Sequence, residues 1–163
     1  MNEPASTTDA RWLDHAVRLA IENVAEGGGP FGALIVGPDG RLVAEGQNRV
    51  TRDLDPTAHA EVTAIRNSCL AIGDFSLAGH SLYTSCEPCP LCLSAALWAR
   101  LDRVVFAANR DDAAAGGFDD SVFYELFEHP STSWASPRVE EVRVPAAAAP
   151  FEAWRENVAR TDY

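Results

Sequence analysis

A chain of 163 residues, 47% of them hydrophobic, has the size and apolar content of one globular domain that needs no disulfide framework, so we expect a single domain over 1–163. Thirteen Lys and Arg against 24 Asp and Glu give a formal net charge of −11, which disfavours a nucleic-acid partner. The N-terminal residues lack the basic and apolar regions of a signal peptide, and no apolar run is long enough to span a membrane, so we expect a soluble, cytoplasmic protein without a membrane partner.

The first 50 residues predict a helix followed by a hairpin. A start signal at 7–9 precedes apolar residues at helical spacing, and the glycine-rich run 27–30 ends the pattern. Two apolar segments flank a Pro-Asp-Gly turn and predict the first two strands, at 31–36 and 42–47. The predicted apolar face of the helix consists of Leu13, Ala16, Val17, Ala20, Ile21 and Val24.

A second helix is predicted to open at Asp55-Pro56. Its apolar stripe would contain Ala58, Val62, Ile65 and Cys69. His59 and Glu61 are two residues apart, which is a rotation of roughly 200° in the middle of a helix. They can converge on one centre only from the first turn, so we expect a site beyond the start of this helix.

Strands and helices alternate in the remainder of the chain. We expect a loop rich in Asp, Ala and Gly at 111–120 and a tether at 145–150. The other predicted elements are strands at 81–85 and 103–108, paired in parallel, a helix from Pro90, a short helix at 122–127, a possible strand at 139–144 and a helix at 151–159. This order predicts an α/β fold, a three-layer α/β/α sandwich with a mixed sheet of five strands.

Three of the four cysteines cluster at 86, 89 and 92, a spacing that suits metal binding in a reducing compartment. If Pro90 begins a helix, Cys89 caps it and Cys92 lies in its first turn, where the helix dipole favours thiolates. A neutral His59 would complete a His/Cys/Cys set and leave one tetrahedral position for water, as in catalytic zinc sites. We therefore expect one Zn²⁺ per chain at His59, Cys89 and Cys92.

Glu61 supplies a carboxylate that need not be a ligand. The combination H-x-E with P-C-x-x-C is the pattern of zinc-dependent nucleobase deaminases, in which the glutamate acts as general acid and base. Glu61 would accept a proton from water and deliver it to the ring nitrogen and the leaving amine. The alternative is a first-turn acid that the helix dipole favours.

Other interpretations of the cysteines remain open. An iron–sulfur run would require a cysteine at 96, where the chain has alanine. A closed structural zinc site that includes Cys86 would leave Glu61 without a role, and a thioredoxin-type redox pair also fits a bare C-x-x-C. A zinc-stabilised binding module without activity is the alternative from a different functional class.

Longer segments carry a resemblance to a known family. The segments GGPFGA at 28–33, DPTAHAEVTAI at 55–65 and YTSCEPCPLCL at 83–93 resemble the purine-base branch of the cytidine deaminase superfamily. GFDDS at 117–121 and FEAWR at 151–155, with the tail to Tyr163, are similar to small bacterial guanine deaminases. The resemblance implies hydrolytic deamination of guanine at C2 to xanthine and ammonia.

The resemblance also implies the groups that bind the base. Asn48 would hydrogen-bond the base, Phe31 would form an aromatic wall, and the Ala60 backbone would line the floor. Asp120 would contact the purine and assist proton movement. A lid at 145–163, swapped between the subunits of a homodimer, would bring Tyr163 to the substrate.

Each of these late assignments has a structural alternative. Asp119 or Asp120 would serve as the cap of the following helix. The apolar positions 151, 154 and 158 would pack against a core or a partner. Tyr163 would be a frayed terminus.

The zinc motifs do not select a base, so other substrates fit them as well. The alternatives are cytosine, an aminotriazine such as ammeline, and guanosine. Editing of adenosine in tRNA would require a positive surface, which a net charge of −11 opposes. The roles of Cys86 and Asp112 stay open.

Overall fold

The computed structural model describes residues 7–163, which form two compact units, one that extends to Tyr124 and one over Glu125–Tyr163. None of the helices in this range is long and apolar enough to cross a membrane. The helices are α1 (Thr7–Ala25), α2 (Val50–Asp53), α3 (Ala60–Ile72), α4 (Pro90–Trp98), α5 (Arg110–Ala115), α6 (Ser121–Phe127) and α7 (Ala149–Glu156).

The first unit contains a mixed sheet of four strands, β1 (Gly32–Val36), β2 (Leu42–Gln47), β3 (Ser81–Cys86) and β4 (Arg103–Ala108). Their order in the sheet is β2-β1-β3-β4. Strand β1 pairs antiparallel with β2 and β3, whereas β3 and β4 are parallel, as the alternation of elements predicted.

Alternate residues of β1 pack into two separate cores, one on each face of the sheet. On one face Ala33 and Ile35 pack with Ala60 and Ala64 of α3. On the other face Leu34 packs with residues of α1 such as Trp12 and Ala16. Because side chains alternate across a strand, helices cover both faces, which confirms the predicted three-layer α/β/α sandwich.

Two glycines allow helices to lie directly on the sheet. A Cβ at Gly32 of β1 would overlap the main chain of α1, and a Cβ at Gly46 of β2 would overlap the main chain of α3. The two glycines therefore hold α1 and α3 at close approach on opposite faces.

The face of α1 that the structure buries is rotated about the helix axis relative to the predicted apolar face. Val17, Ile21 and Val24 are exposed, while the buried residues of this helix are Asp9, Trp12, Ala16, Leu19, Ala20 and Asn23. Two polar side chains of α1 are buried because both have hydrogen-bond partners inside the fold. Asp9 accepts a hydrogen bond from the Tyr83 hydroxyl, and Asn23 donates to two main-chain carbonyls.

The second predicted helix begins five residues later than Asp55-Pro56. Asp55 accepts hydrogen bonds from the backbone N–H and the hydroxyl of Thr57, at 2.8 and 2.7 Å, and so closes a turn. The helix starts only at Ala60 and leaves His59 as its N-cap, with extended φ and ψ of −65° and 158°. This start keeps His59 and Glu61 within the first turn, as convergence requires.

No strand forms at 139–144, so the described part of the sheet has four strands and not the predicted five. The valines of this segment stand at 139, 142 and 144, which is not a regular period of two. The intervening charges pair locally, Arg138 with Glu140 and Arg143 with Glu141. The segment is exposed and irregular.

The loop predicted at 111–120 begins as helix α5. Asn109 and Asp112 form a capping box: the Asn109 side chain accepts from the Asp112 N–H at 2.9 Å, and the Asp112 carboxylate accepts from the Asn109 N–H at 3.0 Å. Three alanines then favour the helix, and two glycines end it. Asp112 therefore has a structural role at a helix start.

The second unit, Glu125–Tyr163, contains α7 and a short 3₁₀ turn at Ser131–Ser133. Helix α7 ends at Glu156, three residues before the predicted end at 159. No residue of this unit is buried. Its ring contacts include the pair of Phe127 and Trp134, with centroids 5.2 Å apart.

Candidate metal centre

The starts of α3 and α4 bring the three predicted ligands together. His59 caps α3, and Cys89 caps α4 in the same extended conformation, with φ −68° and ψ 169°. The His59 Nδ1 atom lies 3.6 Å from Cys89 Sγ and 3.4 Å from Cys92 Sγ, and the two sulfurs are 3.7 Å apart. Pro90 at the first position of α4 fixes the chain between the two cysteines.

These separations fit a tetrahedral zinc ion. Zinc bonds of 2.0–2.3 Å at the tetrahedral angle separate neighbouring ligand atoms by about 3.6 Å. Among the residues that the structure describes, the potential metal-binding group consists of His59, Cys89 and Cys92, without Cys86. The donor set therefore leaves a fourth position open, as the sequence predicted for a catalytic site.

The protonation of the ligands follows from their mutual contacts. The pKa of Cys89 is lowered to about 4, first by the hydrogen bond that Cys92 donates to it. As the donor in this contact and as a buried thiol, Cys92 has a raised pKa. The Cys89 thiolate also raises the pKa of His59 through their hydrogen bond. Cys89 therefore offers a thiolate, the ligand form that a divalent zinc ion requires.

Glu61 lies beside the ligands and is buried, with 5% of its surface exposed. Its Oε2 atom is 3.4 Å from Cys92 Sγ, and its Oε1 atom accepts from the Thr84 hydroxyl at 3.4 Å. Burial is the main cause that raises the pKa of Glu61. A carboxylate with a raised pKa next to an open coordination position is suited to take up and release a proton.

Thr84 is a site residue that the sequence analysis missed. It lies in β3 with 1% of its surface exposed, and its hydroxyl contacts Glu61 across 23 positions of the chain. Because side chains alternate across a strand, Thr84 shares one face with Leu82 and Cys86, and a hydroxyl between these two residues is the signal that was present in the sequence.

Two of the residues predicted to bind the base, Phe31 and Asn48, lie on neighbouring loops. Asn48 is buried, its backbone N–H donates to Phe31 O at 3.1 Å, and its side-chain Oδ1 accepts from the Val50 N–H at 3.2 Å. The Phe31 ring meets Phe118 edge to face, with centroids 5.0 Å apart. Phe118 is a second aromatic group that the sequence analysis did not single out. Ala60 is completely buried, so only its backbone could face a ligand.

Asp120 is half-buried ahead of α6, and Asp119 makes the cap contact there. The Asp119 carboxylate accepts from the Ser121 N–H at 3.0 Å. Burial raises the pKa of Asp120 first, and the negative charge of Cys89 raises it further. The carboxylate of Asp120 is therefore within electrostatic range of Cys89, and the side-chain contact with the first N–H of α6 comes from Asp119.

A polar cluster braces the loop that carries Cys89. Arg110 donates from Nε to Glu87 at 3.0 Å and stacks over the Tyr124 ring at 3.7 Å. The Tyr124 hydroxyl donates to Pro88 O at 2.5 Å. Helices α5 and α6 thus hold the approach to α4 in place.

Cys86 is a buried thiol outside the ligand group. Burial raises its pKa to about 11, and its Sγ atom lies 3.9 Å from Asn109 O. It lines a largely apolar cavity of about 360 Å³ between α1 and α5. A thiol with this pKa is protonated at neutral pH, which is consistent with a packing role.

Tyr163 belongs to the second unit. Its ring lies 6.1 Å from the ring of Trp154 at an interplanar angle of 81°. The metal ligands lie in the first unit, whereas Tyr163, which is predicted to contact the substrate, lies in the second unit.

Comparison with known proteins gives a consistent result. A family model for the zinc-binding region of cytidine and deoxycytidylate deaminases matches residues 6–108. Guanine deaminase of Bacillus subtilis (strain 168) is 50% identical over 153 residues, which cover 93% of this chain and 97% of that protein. The X-ray structure of guanine deaminase from Bacillus subtilis matches with a TM-score of 0.90 and 47% identity over 100% of this chain and 99% of that chain.

A tRNA-specific adenosine deaminase of Haemophilus influenzae is also similar. It is 37% identical over 120 residues, which cover 71% of this chain and 69% of that protein.

Proposed function

Since the chain belongs to the family of zinc-binding cytidine and deoxycytidylate deaminases, we propose that it hydrolyses guanine to xanthine and ammonia. The observation that carries the proposal is the extent of the similarity to guanine deaminase, 47% identity over the whole chain, including Glu125–Tyr163. The similarity to the tRNA-specific adenosine deaminase is lower and covers 71% of the chain.

The metal would be held by His59, Cys89 and Cys92, one Zn²⁺ per chain. When bound there, zinc supplies a Lewis acid that brings the ionisation of water close to neutral pH. The three protein groups set its geometry and leave one position for the reacting oxygen.

Glu61 moves the protons of the reaction. It takes a proton from the attacking water as the new C–O bond forms at C2, and it passes this proton to N3 of the ring. Glu61 then takes the proton of the new C2 hydroxyl and delivers it to the exocyclic nitrogen, so that the C2–N bond breaks, the C2 carbonyl of xanthine forms and ammonia leaves. The Thr84 hydroxyl contacts Oε1 of Glu61, and Oε2, 3.4 Å from Cys92 Sγ, is the oxygen on the side of the metal ligands that would carry the proton.

Asn48 and Phe31 bind the base. The Val50 N–H can only donate, so the Asn48 atom that it contacts is the oxygen, and the Asn48 NH₂ group is left as a donor. This donor suits the C6 carbonyl of guanine and not the C6 amine of adenine. Phe31, held by Phe118, offers an aromatic wall, and the Ala60 backbone contributes to the floor.

Asp120 contacts the purine and assists proton movement. Its half-burial raises its pKa, so it takes up a proton more readily than an exposed aspartate does, which supports this role. The contact of Asp119 with the Ser121 N–H supports this assignment, because that contact does not require the Asp120 side chain.

The chain acts as a homodimer in which 145–163 forms a lid over the site of the partner and contributes Tyr163. The complete lack of buried residues in Glu125–Tyr163 supports this, because Phe151 and Val158 expose large apolar surfaces that a partner would cover. The free thiols at 69, 86, 89 and 92 favour a reducing compartment, the cytoplasm.

Ammonia release from a panel of bases tests the function. The zinc-loaded protein is assayed with guanine, guanosine, adenine, cytosine, cytidine and an aminotriazine. We expect turnover of guanine. Activity confined to cytosine, the triazine or guanosine would keep the zinc chemistry but reject the substrate, and activity on tRNA adenosine alone would favour the editing alternative.

Glu61→Gln separates the enzyme from a zinc-stabilised binding module. We expect turnover to fall by at least about 10³-fold while zinc content stays at one ion per chain. Glu22→Gln, at an exposed position of α1, is the matched control and should retain full activity. Loss of both zinc and fold in Glu61→Gln would contradict the role of Glu61.

A further inference from the structure

A completely buried asparagine joins the two loops that carry the base-binding groups. The Asn23 side chain on α1 donates from Nδ2 to Gly29 O at 2.7 Å and to Asn48 O at 2.8 Å. Gly29 lies two residues before Phe31, and its carbonyl also accepts from the Phe31 N–H at 2.8 Å. One amide group therefore fixes the loop of Phe31 relative to the main chain of Asn48.

Arg52 fixes the orientation of this amide. Its guanidinium donates to Asn23 Oδ1, and it also pairs with Glu26 Oε2 at 3.0 Å. Because Asn23 Oδ1 is occupied by Arg52, both N–H groups of the amide face the two carbonyls. The contact links α1 and α2, the short helix directly after Asn48.

The surrounding backbone leaves no room for rearrangement. A Cβ at Gly28 would overlap the Asn23 side chain, and a Cβ at Gly29 would lie 3.2 Å from Asn48 Cγ. The loop therefore passes against both asparagines with hydrogen in place of a side chain. A change in the Asn23 amide would move the main chain of this loop, because no side chain is present to absorb the shift.

We propose that Asn23 is a positioning residue for the base pocket, which holds the Asn48 amide and the Phe31 ring at the separation that a purine requires. The inference rests on the proposed function, in which these two groups bind guanine. Asn23 contacts neither the metal ligands nor Glu61 in the contacts described. Groups that bind the base equally in the ground and transition states affect KM and leave kcat nearly unchanged.

Asn23→Asp tests the inference with a side chain of the same shape. The aspartate keeps its contact with Arg52 but offers no N–H to the two carbonyls, so an oxygen would face two oxygens. We expect KM for guanine to rise about 10- to 100-fold, with kcat within about threefold of wild type and zinc at one ion per chain. Arg52→Ala should also raise KM, and it replaces Asn23→Asp as the test variant if Asn23→Asp does not fold.

Tyr83→Phe is the matched control. Tyr83 donates to Asp9 at the other end of the same helix, at 2.7 Å, so its loss also weakens the attachment of α1 to the sheet. This variant should lower the free energy of unfolding without a change in KM.

The outcomes separate the inference from the proposed function. Unchanged KM in Asn23→Asp and Arg52→Ala, or a parallel loss of kcat and zinc content, would overturn the positioning role. If wild type instead turns over another base of the panel, the proposed function fails, and the KM ratio of variant to wild type is measured with that base.

Discussion

Tyr83, Asp9 and Arg103 form a polar cluster between α1 and the sheet. The buried Tyr83 hydroxyl donates to Asp9 Oδ1 at 2.7 Å, and Arg103 contacts both carboxylate oxygens, at 2.7 and 2.9 Å. Burial, with a further contribution from the Asp9 charge, raises the pKa of Tyr83 to about 12. The native state therefore favours the protonated phenol.

The stability that Tyr83 contributes should disappear at high pH. Since its pKa is near 10 in the unfolded chain and about 12 in the native state, the contribution is complete below pH 10 and is lost as the pH rises through 12. We expect the difference in free energy of unfolding between wild type and Tyr83→Phe to shrink by up to about 2–3 kcal/mol over this range. Urea denaturation at several pH values measures it.

A Tyr83→Phe difference that stays constant between pH 8 and pH 12 would mean that the buried phenol does not favour its protonated form.

Residues with a fixed local spacing could be predicted from the sequence, whereas those defined by long-range contacts could not. His59, Cys89 and Cys92 come together because two motifs start two helices at one edge of the core. Asn23 and Thr84 act on residues 25 and 23 positions away, and no local pattern records such a pair. Their only trace in the sequence is a polar side chain at an apolar position.

Among the elements, the contact between α3 and β2 controls where Glu61 lies. Gly46 of β2 faces the main chain of α3 at Ala60 and Ala64, so close that a Cβ would overlap both. Because α3 begins at Ala60, the same contact determines the position of the first helical turn and of the Glu61 carboxylate.

Gly46→Ala should therefore damage both stability and activity. The added methyl group meets backbone atoms that cannot turn aside, and we expect a loss of about 1–3 kcal/mol in the free energy of unfolding. Activity per folded molecule should also fall, because α3 must move away from the sheet. Chemical denaturation and kcat/KM at a temperature where the variant is folded give the two values.

Gly40→Ala separates displacement of α3 from a general glycine effect. Gly40 lies in the β-hairpin turn with φ of +75° and open space around it. Alanine there costs stability through the backbone alone, and activity per folded molecule should stay at the wild-type value. A Gly46→Ala variant that matched wild type in both measurements would contradict the close approach.

The sequence-based prediction failed for elements whose buried face depends on tertiary contacts or whose formation depends on a helix cap. Periodicity alone placed Val17, Ile21 and Val24 inside, but two satisfied polar residues turn the other side of α1 inward. Helix α5 forms in a segment that composition assigns to a loop, because its capping box supplies the missing hydrogen bonds at the first turn.

At the scale of the whole molecule, the net charge disfavours one class of partner, whereas the exposed apolar surface favours another. A net charge of −11 opposes a polyanionic partner, while the second unit exposes apolar side chains such as Phe151, Val142 and Val158. Apolar surface of this kind is typical of a protein–protein interface and not of a free monomer. A second copy of the chain is the partner that the proposed dimer supplies.

Complementation between two inactive chains tests the dimer and its swapped lid together. Glu61→Gln removes the proton carrier of a site, and Tyr163→Ala removes the group that the lid would bring, so each homodimer should be inactive. In a mixed dimer with exchanged lids, the chain with intact Glu61 receives Tyr163 from its partner, which restores one of two sites. Two affinity tags isolate the mixed dimer, and its expected turnover is about half that of wild type.

A lid that closes on its own chain gives the opposite result, because each chain of the mixed dimer then lacks one of the two groups. An inactive mixed dimer would therefore reject the swap but keep the dimer, and a failure to recover any doubly tagged species would reject the dimer. Full activity of Tyr163→Ala by itself would remove Tyr163 from the site. Restored activity, in contrast, requires that the catalytic carboxylate and the terminal tyrosine of one site come from different chains.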